Sequence, residues 1–346
     1  MDNISNTSID EQSSSESFIN IGLSRYICLI LLSALLIPSI LFSLYIFYWI
    51  YRISDLRNRL TNHIILAIFI ISFIQTTCEM PFLLEYLRYG HVSFDSYSFC
   101  KFWIAFNYSL NTSILFLNSH LSIERYLLIF HHNFLNRHKM LIHYIPMTIL
   151  IILAICYSCG TVLFVPCIEL FDYTSQLCGG PCFQLQPSIG TFDLVFTVFS
   201  PLFCIIFFNS FLIIRVIQQK RRMLQKNVWK KNLGMLIQLL SVSILHVIVW
   251  LPVTIVILIA MTNYPPPAII IELQTSWVLI NIMYIAVLIN PLVCFFAIPE
   301  IKDKIILFIN YLRRKRQQQQ QQISSTGRNQ IHPLSTNQNQ STRFQK

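Results

Sequence analysis

Hydrophobic positions in this chain are gathered into long unbroken runs; they are neither confined to one stripe of a helix nor alternated along strands. Seven uncharged, strongly apolar stretches stand out, at 26–51, 60–78, 102–123, 140–168, 194–214, 232–271 and 273–299. Each can cross a bilayer, whose hydrocarbon core takes about 20 helical residues at about 1.5 Å per residue. A transmembrane β-barrel would show segments of about ten residues that alternate apolar with polar, and these runs do not alternate. The pattern therefore predicts an all-α membrane protein, a bundle of seven transmembrane helices spanning residues 22–299.

The segments around the bundle read differently. Residues 1–21 form an outer tail, of which 1–20 are polar and acidic and lack the apolar core of a cleavable signal, so the first span is expected to act as its own anchor. After the seventh span, residues 300–312 alternate charged with apolar positions, which suits an amphipathic helix lying on the membrane surface. Arg313, Arg314, Lys315 and Arg316 follow, placed to meet anionic lipid headgroups, so that 300–316 forms one surface-bound segment. A run of six Gln and a Ser/Thr/Asn-rich stretch complete 317–346, expected to be disordered for want of apolar residues to bury.

Composition agrees: 54% of residues are hydrophobic and 12% charged, which excludes an ordinary soluble domain with its roughly 25% charged residues. The net charge of +10 suggests a nucleic-acid ligand only until the charges are placed. Of the 25 Lys and Arg, only Arg25, Arg88 and Lys101 flank the spans on the side of the N-terminus. The positive-inside rule then puts the N-terminus outside and the C-terminus in the cytosol of a multi-pass plasma-membrane protein, and the basic face needs no nucleic acid to explain it. Two sequons, at Asn3 and Asn6, lie in the outer tail as candidate glycosylation sites.

Ten cysteines divide by depth. Cys28, Cys78, Cys156, Cys159, Cys204 and Cys294 fall within spans and are expected to be small buried residues. Cys100, Cys167, Cys178 and Cys182 fall on the outer side, where disulfides persist, and four cysteines allow three pairings.

The third run places Cys100 at its outer start and Glu124-Arg125-Tyr126 at its inner end, and Cys100 to Arg125 spans roughly 37 Å of helix, one bilayer with its interfaces. In the sixth run Trp250 stands beside the kinking residue Pro252, and in the seventh Asn290 precedes Pro291. Together, on the third, sixth and seventh of seven spans, these motifs resemble the rhodopsin-like family of G-protein-coupled receptors over about residues 22–312.

The resemblance implies several roles. Cys100 matches the cysteine that ties the third helix to the second extracellular loop, which favours a bond to Cys178 or Cys182, with Cys167 taking the other. Glu124, Arg125 and Tyr126 match the element in which the acid holds the arginine at rest and releases it to the G protein. Trp250 and Pro252 match the pivot of the sixth helix, and Pro201 and Pro291 the prolines of the fifth and seventh. This sequence also departs from the family: Ser72 replaces an aspartate of the second helix, which puts an allosteric sodium site in doubt, and Cys294 replaces a tyrosine after Pro291. His246 stands where Phe is common and Asn209 where Tyr is common, so the switch is poised differently or does not signal.

Polar groups at membrane depth are costly and are functional candidates by default. The outer halves of the spans carry Glu79, Glu85, Asn107, Asn111, Asp193, Trp277 and Tyr284, with interhelical hydrogen bonding as the structural alternative. Asn107 stands where amine-binding members of the family carry Asp, so an amine ligand is not expected. The seventh span contains no Lys to hold retinal. The expected ligand is a peptide or an uncharged small molecule, and no cofactor or metal is expected. Heterotrimeric G protein and membrane lipids are the expected partners, and tail residues such as Ser324, Ser325 and Thr326 suit phosphorylation for arrestin. A secondary transporter or channel would show inverted repeats or broken helices, and a membrane enzyme a nucleophile with its base; neither pattern is evident. A non-coupling seven-helix receptor is the remaining alternative.

Overall fold

The computed structural model describes residues 4–52, 60–168, 171–222, 226–263, 267, 269–270, 277–297 and 313–318. The chain divides into one unit, Met1–Ile298, and a second, Pro299–Lys346. In the second unit, residues 313–318 form an exposed helical turn that includes the four basic residues. The expected surface helix at 300–312 and the tail beyond 318 lie outside the described residues, as do Asn3 and the side chains of Asn6, Trp277 and Cys294.

The first unit is helical. Helix α1 covers Ile4–Arg52, so its backbone is already helical in the polar segment before the apolar span that begins at Leu23. Helix α2 is built from Leu60–Ile74, a π turn Gln75–Glu79 and Met80–Tyr89; α3 is Tyr97–Phe130. Helix α4 joins a π turn Met140–Tyr144 to Ile145–Phe164, and α5 joins Pro187–Leu194, a π turn Val195–Phe199 and Ser200–Arg222. Helix α6 is Lys226–Thr262 and α7 is Trp277–Ala297.

Among the described residues five helices are long and apolar enough to cross a membrane: Leu23–Arg52, Asn62–Tyr89, Met140–Phe164, Pro187–Gln218 and Leu240–Thr262, with a shorter apolar piece at Asn281–Val293 in α7. Helix α3 is long but more polar, and its position explains why. It packs against α2, α4, α5 and α6, while α1, α2, α6 and α7 close the remaining side. A helix enclosed by protein can bury Asn107, Ser109, Ser113, Asn118 and Ser122 without exposing them to lipid. The serine hydroxyls return to the carbonyls one turn back, Ser109 to Ala105 at 2.6 Å, Ser113 to Ser109 at 2.7 Å and Ser122 to Asn118 at 2.9 Å. The outer helices instead turn Ile30, Ile37, Leu41, Ile152 and Phe203 away from the bundle.

Three π turns have a common origin in the sequence. Pro81, Pro146 and Pro201 each lie two residues beyond one of them. A proline inside a helix has no N–H for the i−4 carbonyl and its ring collides with that carbonyl. The ladder widens just before each proline: Met80 donates to Gln75, Ile145 to Met140 and Ser200 to Val195, each five residues back. The second helix therefore continues through Pro81 to Tyr89 and does not stop near 78, as its apolar run had suggested. The fifth starts at Pro187, seven residues before its expected bound, because Pro is well suited to a first helical position.

The expectation of buried span cysteines needs correction. Cys28 is buried, Cys159 and Cys204 are half-buried, and Cys78 and Cys156 face outward. A thiol is apolar enough to sit against lipid, so depth in the membrane does not imply burial in protein.

The outer loop between α4 and α5 is stapled twice, by Cys100–Cys178 and Cys167–Cys182. Of the pairings left open by the sequence, this is one of the two favoured by the family resemblance. Val92 donates to the Tyr173 carbonyl at 3.0 Å and Tyr86 to that of Thr174 at 3.0 Å, which tie the loop to the top of α2. Asp172 turns the chain by accepting from the Ser175 hydroxyl and from the N–H and hydroxyl of Thr174, and these bonds hold its carboxyl below the usual range. Leu177 and Cys178 then adopt left-handed backbone, φ 53°, which aims the loop down at the bundle. The start of α5 makes room: a Cβ on Gly190 would stand 2.6 Å from the Gln184 carbonyl.

Candidate functional site

The outer half of the bundle holds the buried polar groups Glu79, Asn107 and Asp193, with Asn111 and Tyr284 beside them. The π turn in α2 carries Glu79 to a fully buried position facing α3 and α7. Its Oε1 accepts from the Asn107 amide and from the Tyr284 hydroxyl, the latter at 2.8 Å, and the Asn107 amide also donates to Tyr284 at 3.0 Å. Asn111, one turn below, donates to the Asn107 carbonyl oxygen at 3.0 Å and to its side chain at 3.2 Å, and accepts from Gln75 at 3.4 Å. Three helices are joined by one chain of hydrogen bonds, as a carboxyl at this depth requires.

Asp193 lies apart from this chain, on α5, where Tyr157 of α4 and Gln184 of the outer loop face its carboxyl. Between the two groups is a cavity of about 120 Å³, bordered by Asn107 and Asn111 on α3, Asp193 on α5, Trp250 on α6 and Leu177 and Gln184 of the loop. The structure thus brings Glu79, Asn107, Asn111 and Tyr284 together directly and sets Asp193 across the cavity from them. Glu85 is outside this group, at the exposed end of α2, where it accepts from Ser93 at 2.6 Å. Gln75, Tyr157 and Gln184 are partners that the sequence did not single out, the first because its neighbours Thr76 and Thr77 make it look like an ordinary polar turn.

This chain of bonds predicts its own energetics. Glu79→Ala removes the acceptor that Asn107 and Tyr284 share and leaves buried donors unmatched, a loss of about 1–3 kcal/mol. Glu79→Gln keeps a carbonyl acceptor and loses less. Thermal unfolding of detergent-solubilised protein checks the ordering, and equal midpoints for the two variants would contradict it.

Deeper in the bundle the Asn290 amide of α7 donates to the Ser72 hydroxyl of α2 at 2.8 Å, with both residues buried. Ser72 thus serves as a neutral partner at the position where the family resemblance implies an aspartate. Pro291, next to Asn290, is buried inside α7, and Pro201 is buried in α5. Trp250 is half-buried just below Pro252, which lies inside α6 and faces outward. His246 is buried and engages the Val242 carbonyl one turn back at 2.9 Å; Asn209 is also buried.

At the inner end of α3, Arg125 is buried and its Nη1 donates to the Ser243 hydroxyl of α6 at 3.3 Å. Tyr126 packs among Phe130, Phe208 and Phe211. The Glu124 carboxylate has its partner on α4: His143 Nδ1 stands 2.9 Å from Oε1, and both side chains are fully buried. The family's resting pair of acid and neighbouring arginine is thus replaced, among the described residues, by a bond between helices. Adjacent positions on a helix point about 100° apart, so Glu124 and Arg125 naturally address different neighbours. His143, His63 and Ser243 were missed because polar groups at depth were sought in the outer halves of the spans alone.

Residues 24–293 match the family model described as 7 transmembrane receptor (rhodopsin family). Comparison with curated individual proteins gives no match.

Proposed function

The chain belongs to the rhodopsin family of seven-transmembrane receptors, and from that membership we propose that it binds an extracellular peptide or uncharged small molecule and activates a heterotrimeric G protein. In this reading it is a receptor and not an enzyme, its N-terminus faces outside, and its basic face and C-terminal segment lie in the cytosol against membrane lipids. The cavity beneath the stapled loop is the ligand site, with Glu79, Asn107, Asn111, Asp193 and Tyr284 its polar markers and Trp277 at the head of α7.

One observation carries the proposal. Helix α6 borders the cavity with Trp250 and, two turns further in, contacts Arg125 through Ser243. Seven residues correspond to about 10 Å along one rigid element, with Pro252 as a ready hinge. A ligand that prefers one setting of Trp250 would therefore shift the population in which Arg125 is released.

The test is nucleotide exchange on a panel of heterotrimers with the receptor reconstituted in lipid discs, against peptide and metabolite fractions. At least one fraction is expected to accelerate exchange on at least one heterotrimer. A fraction that binds, as seen by a rise in unfolding temperature, yet leaves every heterotrimer silent would support the non-coupling receptor, a reading favoured by Asn209 where the family commonly has Tyr.

A further inference from the structure

The inner faces of α2, α3 and α4 meet at a cluster of imidazoles. His143 Nδ1 lies 2.9 Å from Glu124, its Nε2 lies 3.3 Å from His63 Nδ1, and the Tyr144 hydroxyl lies 3.4 Å from the same His63 nitrogen. His120, one turn above Glu124, has Nε2 3.5 Å from the His143 carbonyl. We propose that His143 is the positioning residue for Arg125: by holding the Glu124 carboxylate toward α4 it keeps the guanidinium directed at α6. The inference rests on the G-protein reading above and identifies what sets the poise of that switch.

The physical argument is competition for one buried carboxylate. Glu124 is fully enclosed, so its charge needs a donor within the protein. Among the described residues its neighbour Arg125, His143 and, one turn above, His120 can supply one, and the structure shows the carboxylate oriented at His143. Neutral His143 can donate from Nδ1 and accept from His63 at Nε2; charged His143 donates from both, and the bond to Glu124 becomes charge-assisted. The groups facing His143 are Glu124 and His120 from α3, His63 from α2 and Tyr144 on its own helix, with Arg125 directed at Ser243 and with Arg137, His138 and Lys139 on the turn that precedes α4. The bond from His143 to Glu124 therefore leaves the guanidinium to Ser243 and keeps α6 beside α3. Loss of the imidazole turns Glu124 toward Arg125, takes the guanidinium off Ser243 and releases α6.

The experiment uses full-length receptor in lipid discs with spin labels on Ile129 of α3 and Ile244 of α6, both exposed, in a Cys78→Ser, Cys156→Ser background. Label separation is read alongside basal nucleotide exchange. His143→Ala is expected to raise the open population about fivefold, the lower end of a typical coupling between sites. His143→Asn, whose amide nitrogen replaces Nδ1 as donor, is expected to restore the wild-type open population. If His143→Ala leaves the open population unchanged or lowers it, or His143→Asn behaves as His143→Ala does, the proposal is overturned. Should His143→Ala fail to fold, His143→Phe, which fills the same space without a donor, decides. If the labels respond as expected while every heterotrimer stays silent, the positioning role stands and the coupling reading falls.

Discussion

Arg125→Ala is expected to reduce receptor-driven nucleotide exchange to that of the heterotrimer alone, while the amount of folded receptor at the cell surface is retained. The guanidinium is buried at the inner end of α3 and contacts Ser243 on α6. On the G-protein reading proposed above, outward movement of α6 would open that contact and make the fork of N–H donors available to carbonyl groups of an incoming partner. Two charge-assisted hydrogen bonds of about 1.5–3 kcal/mol each amount to a loss of roughly two to four orders of magnitude in productive encounter. Folding is spared because alanine removes the buried charge along with its needs, and the Ser243 hydroxyl that loses its donor can turn to its own helix. G-protein dissociation at matched surface levels, with an agonist fraction present, is the measurement. Exchange by the variant within a few-fold of the wild type would remove Arg125 from the mechanism, in line with the departures from the family pattern at Ser72, Asn209, His246 and Cys294.

Breaking the two outer disulfides should destabilise the receptor unequally. Cys100–Cys178 closes 78 residues, among them the whole of α4, whereas Cys167–Cys182 closes 15. Loop-closure entropy assigns about 4.5 kcal/mol to the first and about 3 kcal/mol to the second when the reference is a free chain. Chain that stays inserted as helices in the membrane is less free than that reference, so both values are upper bounds and the order is the prediction. Packing reinforces it: Cys100 and Cys178 are buried in a core with Trp103, Leu87 and Tyr284, so the loop that borders the cavity is anchored in the same cluster as the tyrosine that meets Glu79. Cys100→Ser is expected to lower the unfolding temperature and the surface level more than Cys167→Ser, and to weaken ligand binding as well. A larger effect of Cys167→Ser would place the critical restraint within the loop and not at its junction with α3.

Much of the architecture was legible as pattern. Run length against bilayer thickness located the spans, and the sidedness of Lys and Arg suggested an orientation. Pro252 and Pro291 could be read as kinks, though the reading missed that Pro81, Pro146 and Pro201 each convert the preceding turn to a π turn and let the helix continue. That error in the second helix mattered, because the π turn is what carries Glu79 inward. Residue type at depth flagged Glu79, Asn107, Asn111 and Tyr284, and the same rule applied to the inner halves would have flagged His63 and His143.

What the sequence by itself determined is how the chain relates to the membrane. Transfer of apolar side chains from water to hydrocarbon depends on local composition, so the number of spans, their rough bounds and the motifs on α3, α6 and α7 can be read along one dimension. What only the tertiary structure decided is which groups meet across the bundle. It selected Cys178 for Cys100, joined Glu79 to Asn107 and Tyr284, and gave Glu124 to His143 while Arg125 turned to Ser243. Lipid is as apolar as the helix faces, so hydrophobicity does not rank one lateral neighbour above another. Side-chain packing, the direction in which each helix turns its polar residues and the need of each buried charge for a donor do so, and these exist only once the helices stand side by side.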